Sequence, residues 1–336
     1  MMKIVFRGVK PIIISVLLLF PLSICAQGPV IVNPIAPHGH DPWVIKHKNV
    51  YYYCYSSEGG IWVNKGVTIR DACQFTGKEI WVPEAGKAYS QEIWAPELHY
   101  IKKKWYIYFA ADNGKNENHR MYALESCTGD PLGVYILKGK IFDSTDRWAI
   151  DGTILNYRRN LYFIWSGWEG DVNVSQNLYI AKMANPTTII SKRVEVSHPD
   201  YDWEKIGNPL VNEGPEILHH GKDIFIIYSA SGSWTDNYCL GQLKLAGKNP
   251  LDRKSWIKKQ TPVFGSTGTV FSPGHASFTK SPDGKEDWII YHTARKKGAG
   301  WDRDVNMKEF FWTKGGNPDF GYPESKGVQI LAPSKR

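Results

Sequence analysis

One pattern recurs five times along this chain and limits the folds available to it. Each copy has a polar or acidic start, a short apolar strand, a basic or glycine-containing turn and an aromatic strand. The copies are DPWVIKHKNVYYYCYS from Asp41, APELHYIKKKWYIYFA from Ala95, DGTILNYRRNLYFIWS from Asp151, EGPEILHHGKDIFIIYS from Glu213 and HASFTKSPDGKEDWIIYH from His275. Their starts lie 54 to 62 residues apart, which is long for one hairpin but suits a four-stranded sheet with loops. Five such sheets around an axis predict an all-β, five-bladed β-propeller, and a β-sandwich with many hairpins is the alternative.

The composition agrees with strands rather than helices. Aromatic residues make up 13% of the chain, with 14 Trp and 18 Tyr, and the segments that carry them also contain Val, Ile and Thr. No long helical periodicity and no low-complexity stretch interrupts them. The 336 residues suffice for one large domain or two ordinary ones. We expect residues 27–336 to form the single propeller domain.

Residues 1–26 have the organisation of a secretory signal peptide. Three basic residues precede the apolar run from Ile12 to Leu22, which is too short to span a membrane as a helix. Cleavage after Ala26 is the prediction, and lipidation of Cys25 within LSIC is the alternative. The mature protein is therefore expected to be exported: periplasmic, extracellular or surface-anchored. It would meet a membrane only through a lipid on Cys25.

The charge and the cysteines exclude several classes of function. Loss of residues 1–26 removes three positive charges and no negative ones, so the net charge falls from +8 to +5. A basic balance can favour acidic partners such as pectic material, but no Lys/Arg run marks a nucleic-acid track. The five cysteines match no zinc motif, and Cys54, inside an aromatic strand, is expected to be a buried thiol.

The fourth copy contains two glutamates, Glu213 and Glu216, and a regular strand would point them to opposite faces. The first three copies each span fifteen residues from their first residue to the small residue that ends the aromatic strand. Glu213 to Ser229 spans sixteen with an apparent extra turn residue, whereas Glu216 to Ser229 spans thirteen. This count predicts that Glu213 shares its register with Asp41 and Asp151 and that Glu216 faces away.

Three carboxylates at one register would converge at one end of the propeller axis, joined by His275 from the fifth copy. Carboxylates in one cleft cannot all ionise at low cost, so their pKa values separate. One can then stay protonated as a general acid while another acts as a base, which suits the cleavage of a glycosidic bond. The plainer interpretation is that each acidic residue caps a turn at the edge of a sheet.

The motifs HDPWVI, IWAPELHY, AIDGTIL, NEGPEIL and GHASF, in that order over residues 40 to 278, resemble glycoside hydrolase family 43. The resemblance implies a five-bladed propeller that inverts the anomeric centre. It also implies a general base at Asp41, a general acid at Glu213, and an aspartate at Asp151 that tunes the pKa of the acid and orients it. His275 would contact a structural Ca²⁺ or its waters, and no organic cofactor is implied. His40 stands where family members often have alanine.

Within that family, IWSGWEG, QNLYIAKMANPTTI and YSASGSWTDNYCLG are similar to the arabinofuranosidase members. The implied activity is the exo-acting removal of terminal α-L-arabinofuranosyl units from arabinan or arabinoxylan side chains, so the partner is a plant cell-wall oligosaccharide or polysaccharide. A β-xylosidase or galactosidase of the same fold, or a non-catalytic polysaccharide-binding propeller, are the alternatives.

Four further residues are candidates for substrate binding. Trp94 could form an apolar wall for a sugar, or belong to the core. Trp168 and Trp234 are expected in loops after aromatic strands, where binding residues often lie. Arg295, three residues after His292, could reach a substrate hydroxyl or the general acid, or be a structural arginine.

Overall fold

A computed structural model of the chain describes residues 1–4, 8 and 28–335. The predicted signal peptide, with Cys25 and the cleavage site after Ala26, lies outside these residues except for its first four residues and residue 8. Within the described ranges, no helix is long and apolar enough to cross a membrane. The four cysteines described are free thiols, and Cys54 is fully buried, as the sequence predicts.

The described residues are almost entirely β-structure, which confirms the all-β class. Two short strands come first: β1 (Val30–Val32) and β2 (Ala36–Pro37). The first set of strands is β3 (Trp43–His47), β4 (Val50–Ser57), β5 (Gly60–Gly66) and β6 (Lys78–Trp81). The second set is β7 (Gln91–Ile101), β8 (Lys104–Asp112), β9 (Arg120–Ser126) and β10 (Tyr135–Ile141).

The remaining strands follow the same plan. The third set is β11 (Ala149–Tyr157), β12 (Asn160–Trp168), β13 (Ser175–Asn185), β14 (Thr188–Ile189) and β15 (Val194–Ser197). The fourth set is β16 (Leu210–His220), β17 (Asp223–Ala230), β18 (Cys239–Leu245) and β19 (Trp256–Lys258). The fifth set is β20 (Phe271–Lys280), β21 (Asp287–Ala294), β22 (Arg303–Trp312) and β23 (Pro318–Asp319), and β24 (Gln329–Leu331) ends the chain.

Among residues 28–335, helical structure is limited to short segments between strands. These are the α-helix α1 (Ile69–Ala72) and the 3-10 turns Asn116–Asn118, Asp202–Glu204 and Arg253–Ser255. Thr68 caps α1, because its side-chain oxygen accepts a hydrogen bond from the backbone N–H of Asp71 at 3.1 Å.

Each set is an antiparallel meander whose strands pair in chain order, except that β14 and β15 both pair with β13. Two further pairings join strands from different sets or from the two ends of the chain. A short parallel pairing of β13 with β16, at Ser175–Leu210 and Gln176–Val211, joins the third and fourth sets into one nine-stranded sheet. The N-terminal strand β2 pairs with β22 and so extends the last sheet with residues from the other end of the described chain.

The first strands of the sets pack against one another in succession. β3 contacts β7, β7 contacts β11, β11 contacts β16, β16 contacts β20, and β20 contacts β3. Five apolar clusters fill the spaces between neighbouring sets. One of them, which includes Tyr53 and Trp288, joins the last set to the first. Fully buried rings such as Trp105 and Trp288 anchor these clusters, and burying each such side chain contributes roughly 1.5–3 kcal/mol.

A β-bulge lies at the same place in several of these inner strands. In β16, Glu213 pairs with Ser229 and Glu216 pairs with Ile227, so two residues of β16 lie opposite one residue of β17. The residues at this register have left-handed φ angles of 43° to 54°: Asp41, Ala95, Asp151, Gly214 and His275. Each non-glycine residue in this conformation costs about 1–3 kcal/mol, and such strain is concentrated at functional sites.

The bulge corrects two expectations from the repeat. The β16–β17 turn has two residues between His220 and Asp223, the same length as the β11–β12 turn, so it carries no extra residue. Gly214, not Glu213, therefore occupies the register of Asp41 and Asp151. Glu216 lies beyond the bulge, paired with Ile227, and its Oε2 lies 3.5 Å from the Thr153 hydroxyl on the third set.

Candidate active site

The inner strands open at one end into a cleft of about 960 Å³. Its floor holds Asp41, Asp151 and Glu213, which come from the first, third and fourth sets of strands. All three are in or beside the bulged segments, where the backbone turns the side chains toward the cleft. His275 from the fifth set lines the same cleft, so the structure brings together the four residues that the sequence motifs single out.

Asp41 is surrounded by nitrogen atoms. Its carboxylate lies 3.1 Å from Nδ1 of His40, 3.2 Å from Nδ1 of His275 and 3.6 Å from Nη1 of Arg303. Its backbone N–H donates to Nδ1 of His292 at 3.1 Å. Burial alone would raise the pKa of Asp41, but attraction to His275 and the hydrogen bond from His40 hold it well below its usual value. Burial lowers the pKa of His275, whereas the hydrogen bond to Asp41 raises the pKa of His40, and Arg303 adds a positive charge that does not titrate.

Glu213 has the opposite electrostatic environment. Burial raises its pKa to about 7, and repulsion from Asp41 adds to the effect. The hydroxyl of Tyr238, itself fully buried, donates to Oε1 of Glu213 at 2.8 Å and partly opposes the rise. The carboxyl of Glu213 therefore keeps a proton into the neutral range, in a fixed orientation.

Asp151 connects the third set of strands to the residue beside Glu213. Its Oδ2 accepts a hydrogen bond from the backbone N–H of Gly214 at 2.9 Å. Burial raises the pKa of Asp151 well above its usual value, and repulsion from Glu213 and Asp41 raises it further. Gly214 adopts its φ of +51° without strain, and a Cβ at this position would make a tight contact of 3.2 Å with the His275 ring.

A smaller cavity of about 10 Å³ adjoins the cleft along the inner strands, and Asp41 and His275 line both. Glu97 and Glu216 also line it, and the sequence motifs assign neither of them a catalytic role. Burial raises the pKa of both carboxyls well above the usual value, and repulsion from Glu216 adds to the rise at Glu97. Oε2 of Glu216 lies 3.5 Å from the Thr153 hydroxyl.

Of the four residues predicted to bind substrate, two line the cleft. Trp94 does so with its ring stacked on His119 at a centroid distance of 4.0 Å, and Trp234 lies beside Trp301 at 6.2 Å. Trp301 is 68% exposed and its indole N–H donates to the Ser233 hydroxyl at 3.1 Å. These rings form apolar walls of the cleft. Trp94 comes from the second set of strands, Trp234 from the fourth and Trp301 from the fifth.

Trp168 and Arg295 do not line the cleft. β12 continues through Trp168, which is therefore not in a loop but packs in the apolar cluster between the second and third sets, stacked on Trp148 at 4.8 Å. Trp148 is the ring that reaches the cleft. Arg295 lies outside it, within 3.5 Å of Asp304 and 3.8 Å of Asp302.

Several cleft residues escaped the sequence interpretation. Arg303 is the most consequential: it lies opposite Ala294 in the β21–β22 ladder and is 6% exposed. Tyr238 and His292 also contact the carboxylates, and Asp112 and His119 lie together under Trp94 with 3.2 Å between them. The motif GWDRDV around Arg303 carries no spacing that marks it, and only the strand pairing reveals its position.

Comparisons with known proteins agree with this architecture. The family model described as Glycosyl hydrolases family 43 matches residues 31–318. An extracellular exo-α-(1→5)-L-arabinofuranosidase of Streptomyces avermitilis is 37% identical over 313 residues, which cover 88% of this chain and 64% of that protein. An α-L-arabinofuranosidase 43 of Humicola insolens is 34% identical over 310 residues, again covering 88% and 64%. The chain thus spans less than two thirds of the length of these two relatives.

A shorter relative and a solved structure match over more of their own length. An extracellular exo-α-(1→5)-L-arabinofuranosidase of Streptomyces chartreusis is 33% identical over 273 residues, which cover 79% of this chain and 83% of that protein. The crystal structure of an α-L-arabinofuranosidase from Lactobacillus brevis superposes with a TM-score of 0.81 at 34% identity, covering 88% of this chain and 98% of the other. With the family model spanning nearly all of the described β-structure, the chain belongs to glycosyl hydrolases family 43.

Proposed function

We propose that this protein is an inverting, exo-acting α-L-arabinofuranosidase that removes terminal arabinofuranosyl units from arabinan or arabinoxylan side chains. The observation that carries the proposal is the pair Asp41 and Glu213 in one cleft, with pKa values displaced in opposite directions. Two carboxyls in these states are what glycoside hydrolysis requires. The proposed sugar, arabinofuranose, is taken from the names of the relatives in three organisms.

In this mechanism Glu213 is the general acid and Asp41 the general base. Glu213 donates its proton to the glycosidic oxygen as the bond to the anomeric carbon breaks. Asp41, ionised at neutral pH, takes a proton from a water molecule whose oxygen bonds to the anomeric carbon on the opposite face. The products are the free sugar and the shortened chain, and proton exchange with solvent restores both carboxyls.

Asp151 acts through Glu213 rather than on the substrate. Its hydrogen bond to the N–H of Gly214 fixes the backbone next to the acid. The carboxyls of Asp151 and Glu213 repel each other when both are ionised, so ionisation of one disfavours ionisation of the other. We assign Asp151 the role of orienting the acid and tuning its pKa.

Trp94, Trp234 and Arg303 are proposed to bind the substrate. The two indole rings offer apolar surface to the faces of sugar rings, and the Arg303 guanidinium can hold Asp41 and a substrate hydroxyl together. Arg303 replaces Arg295 in this role, because Arg295 lies outside the cleft.

The proposed architecture is a five-bladed β-propeller formed by one catalytic domain over residues 27–336, exported after removal of residues 1–26. The contacts of β3, β7, β11, β16 and β20 in succession support five blades. The pairing of β2 with β22 supports closure of the ring by the N-terminal strand. The extracellular names of two relatives support export to the periplasm, the cell surface or the medium.

We also propose that a hydrated Ca²⁺ binds near His275 where the cleft meets the small cavity between the inner strands, because the cavity itself, at about 10 Å³, has room for only about one water molecule. Glu97 and Glu216 offer the carboxylate oxygens that Ca²⁺ prefers, and a cation would relieve the repulsion between them. Across the described part of the chain, no three His, Cys, Asp or Glu side chains converge on one point, so water must complete the ligand shell. Chelation followed by Ca²⁺ addition should lower and then restore the melting temperature, and no change in either step would contradict the site.

A panel of nitrophenyl glycosides tests the activity. The protein should hydrolyse the α-L-arabinofuranoside at least about tenfold faster, in kcat/KM, than the β-D-xyloside or β-D-galactoside, which corresponds to about 1.4 kcal/mol. From α-1,5-linked arabino-oligosaccharides it should release arabinose as the only initial product. A preference for xyloside or galactoside would replace the proposed sugar, and binding without hydrolysis would indicate a non-catalytic propeller.

A further inference from the structure

Four of the inner strands end, away from the cleft, in short hairpin turns that carry basic residues. The turns between β3 and β4, β7 and β8, β11 and β12, and β16 and β17 have two residues each. They contribute a group of exposed cations that we call the basic end: Lys48, Lys102, Lys103, Arg158, Arg159 and Lys222. From Asp151 in the cleft to the turn of β11, the strand runs for roughly 23 Å at 3.3 Å per residue. The basic end therefore lies at the opposite end of the inner strands from the catalytic carboxyls.

Contacts between neighbouring sets bring these turns together. His47, beside the first turn, packs on Tyr100, beside the second, with 4.4 Å between the ring centroids. Ile101, at the second turn, shares an apolar cluster with Leu161, just after the third. The third and fourth turns follow β11 and β16, which contact each other. The four turns thus succeed one another around one end of the molecule.

The positive charges of the basic end are not neutralised by the protein. None of its six side chains has a carboxylate partner in the part of the chain that the structure describes. Arg158 lies over the Tyr157 ring at 5.0 Å, and the nearby Asp223 is paired with Lys244 at 2.9 Å. Like charges gathered in this way repel one another, so an anionic partner would be attracted to this surface.

The backbone of two turns makes lysine and arginine a costly choice. The φ angles are 49° and 69° at Lys102 and Lys103, and 50° and 66° at Arg158 and Arg159. Two-residue hairpin turns with both φ angles positive favour Asn-Gly, because other side chains are strained there. The exposed Lys and Arg side chains stabilise neither turn, so the fold itself does not account for their charge.

We propose that the basic end binds a linear acidic polysaccharide that carries one carboxylate on each sugar unit. A polymer suits this surface because the cations are spread over four turns, and several weak contacts along one chain reinforce each other. Ammonium and guanidinium groups pair with carboxylates. Aromatic rings lie among the cations and offer apolar surface to sugar faces, since Tyr100 is 40% exposed and Tyr157 lies beneath Arg158.

Two features limit the partner further. A membrane surface would require apolar side chains that insert between lipids, and the four turns contain none. The fifth turn, between β20 and β21, carries Asp283 and Glu286, so the acidic chain would run over the first four turns only. Binding there would hold the protein on the acidic chain with its cleft directed away from that chain. This inference goes beyond the proposed hydrolysis and does not depend on it.

A variant with four charges removed tests the surface without disturbing the turns. Lys102→Asn with Lys103→Gly, combined with Arg158→Asn and Arg159→Gly, gives both turns residues that favour their φ angles. The variant should melt at or above the wild-type temperature. It should bind polygalacturonate at least about tenfold more weakly in calorimetry, because each exposed ion pair contributes roughly twofold. Wild-type binding should be measurable at about 0.1 M salt, be lost at about 1 M salt, and be absent with the methyl-esterified polymer, which has the same chain without the charges.

The single substitutions Lys48→Ser and Lys222→Ser should each weaken binding about twofold. Lys296→Ser with Lys297→Ser is the control, because it removes two exposed charges from the cleft end of β21 and should leave the affinity unchanged. Unchanged binding in the four-charge variant, or an equal loss in the control, would overturn the proposal. So would equal binding of the esterified polymer, or comparable affinity for anionic lipid vesicles or duplex DNA. A wild-type protein that hydrolyses no arabinofuranoside would refute the proposed function and leave this binding test unaffected.

Discussion

The raised pKa of Glu213 should make the protein less stable at high pH, and Glu213→Gln should remove that loss. A change from 4.5 to about 7 corresponds to about 3 kcal/mol for this buried group. Below pH 4.5 the carboxyl is protonated in both the folded and the unfolded protein, so it imposes no penalty. As the pH rises toward 7, the unfolded chain releases the proton first, and the free energy of unfolding falls.

Glutamine in place of Glu213 has the same size, can accept the hydrogen bond from Tyr238 and is neutral at every pH. The variant should therefore resemble wild type in stability below pH 4.5 and gain on it up to about 3 kcal/mol above pH 7. Urea denaturation followed by tryptophan fluorescence, repeated across this pH range, measures the difference. Catalysis should be lost at the same time, as expected where an active site is held at the expense of stability.

Glu58→Gln is the matched control, since Glu58 is an exposed carboxylate in the turn after β4. Its stability relative to wild type should not change with pH. A Glu213→Gln variant whose stability relative to wild type is the same at every pH would refute the reasoning, because it would mean that the pKa of Glu213 does not change on folding.

Five further substitutions, in three tests, examine the assigned roles. Asp41→Asn should lower kcat by about 10²–10⁴ with an unchanged circular dichroism spectrum, and near-normal turnover would exclude it as the base. Glu213→Ala should be impaired far more on arabino-oligosaccharides than on a nitrophenyl substrate, because the nitrophenyl leaving group departs without a proton. Glu216→Ala should lose a similar, modest amount of activity on both substrates. The reverse pattern would exchange the roles of the two glutamates. Arg303→Ala should lower kcat/KM by about tenfold to a hundredfold, because it removes a charged hydrogen-bond donor, while Arg295→Ala should stay within about threefold; equal effects would remove Arg303 from the site.

The sequence predicts the hairpins well because turn residues and aromatic alternation are local signals. The turns at Lys102–Lys103 and Arg158–Arg159 fall between the strands where the repeat places them. The pairing of β2 with β22 has no such local signal. The two residues of β2, Ala36 and Pro37, are too few to show an alternating pattern, and β22 is distant in the chain.

The site was predictable in its residues but not in its register. Glu213 is recognisable from the motif NEGPEIL. Its register relative to Asp151 depends on the bulge at Gly214, which adds a residue to the strand but leaves no mark in the pattern of apolar residues. Arg303 reaches the cleft because the pairing of β22 with β21 places it opposite Ala294. Trp168 lies in the core because β12 does not end at Gly167 but continues through Trp168.

The stereochemistry of the first-formed sugar tests the central claim most directly. If Asp41 activates water while Glu213 protonates the leaving oxygen, the two carboxyl groups act from opposite faces, at a separation of about 6.5–9.5 Å. Proton NMR during hydrolysis of nitrophenyl α-L-arabinofuranoside should then show β-arabinofuranose before mutarotation. First appearance of the α anomer, or a trapped glycosyl-enzyme on Asp41, would contradict the account.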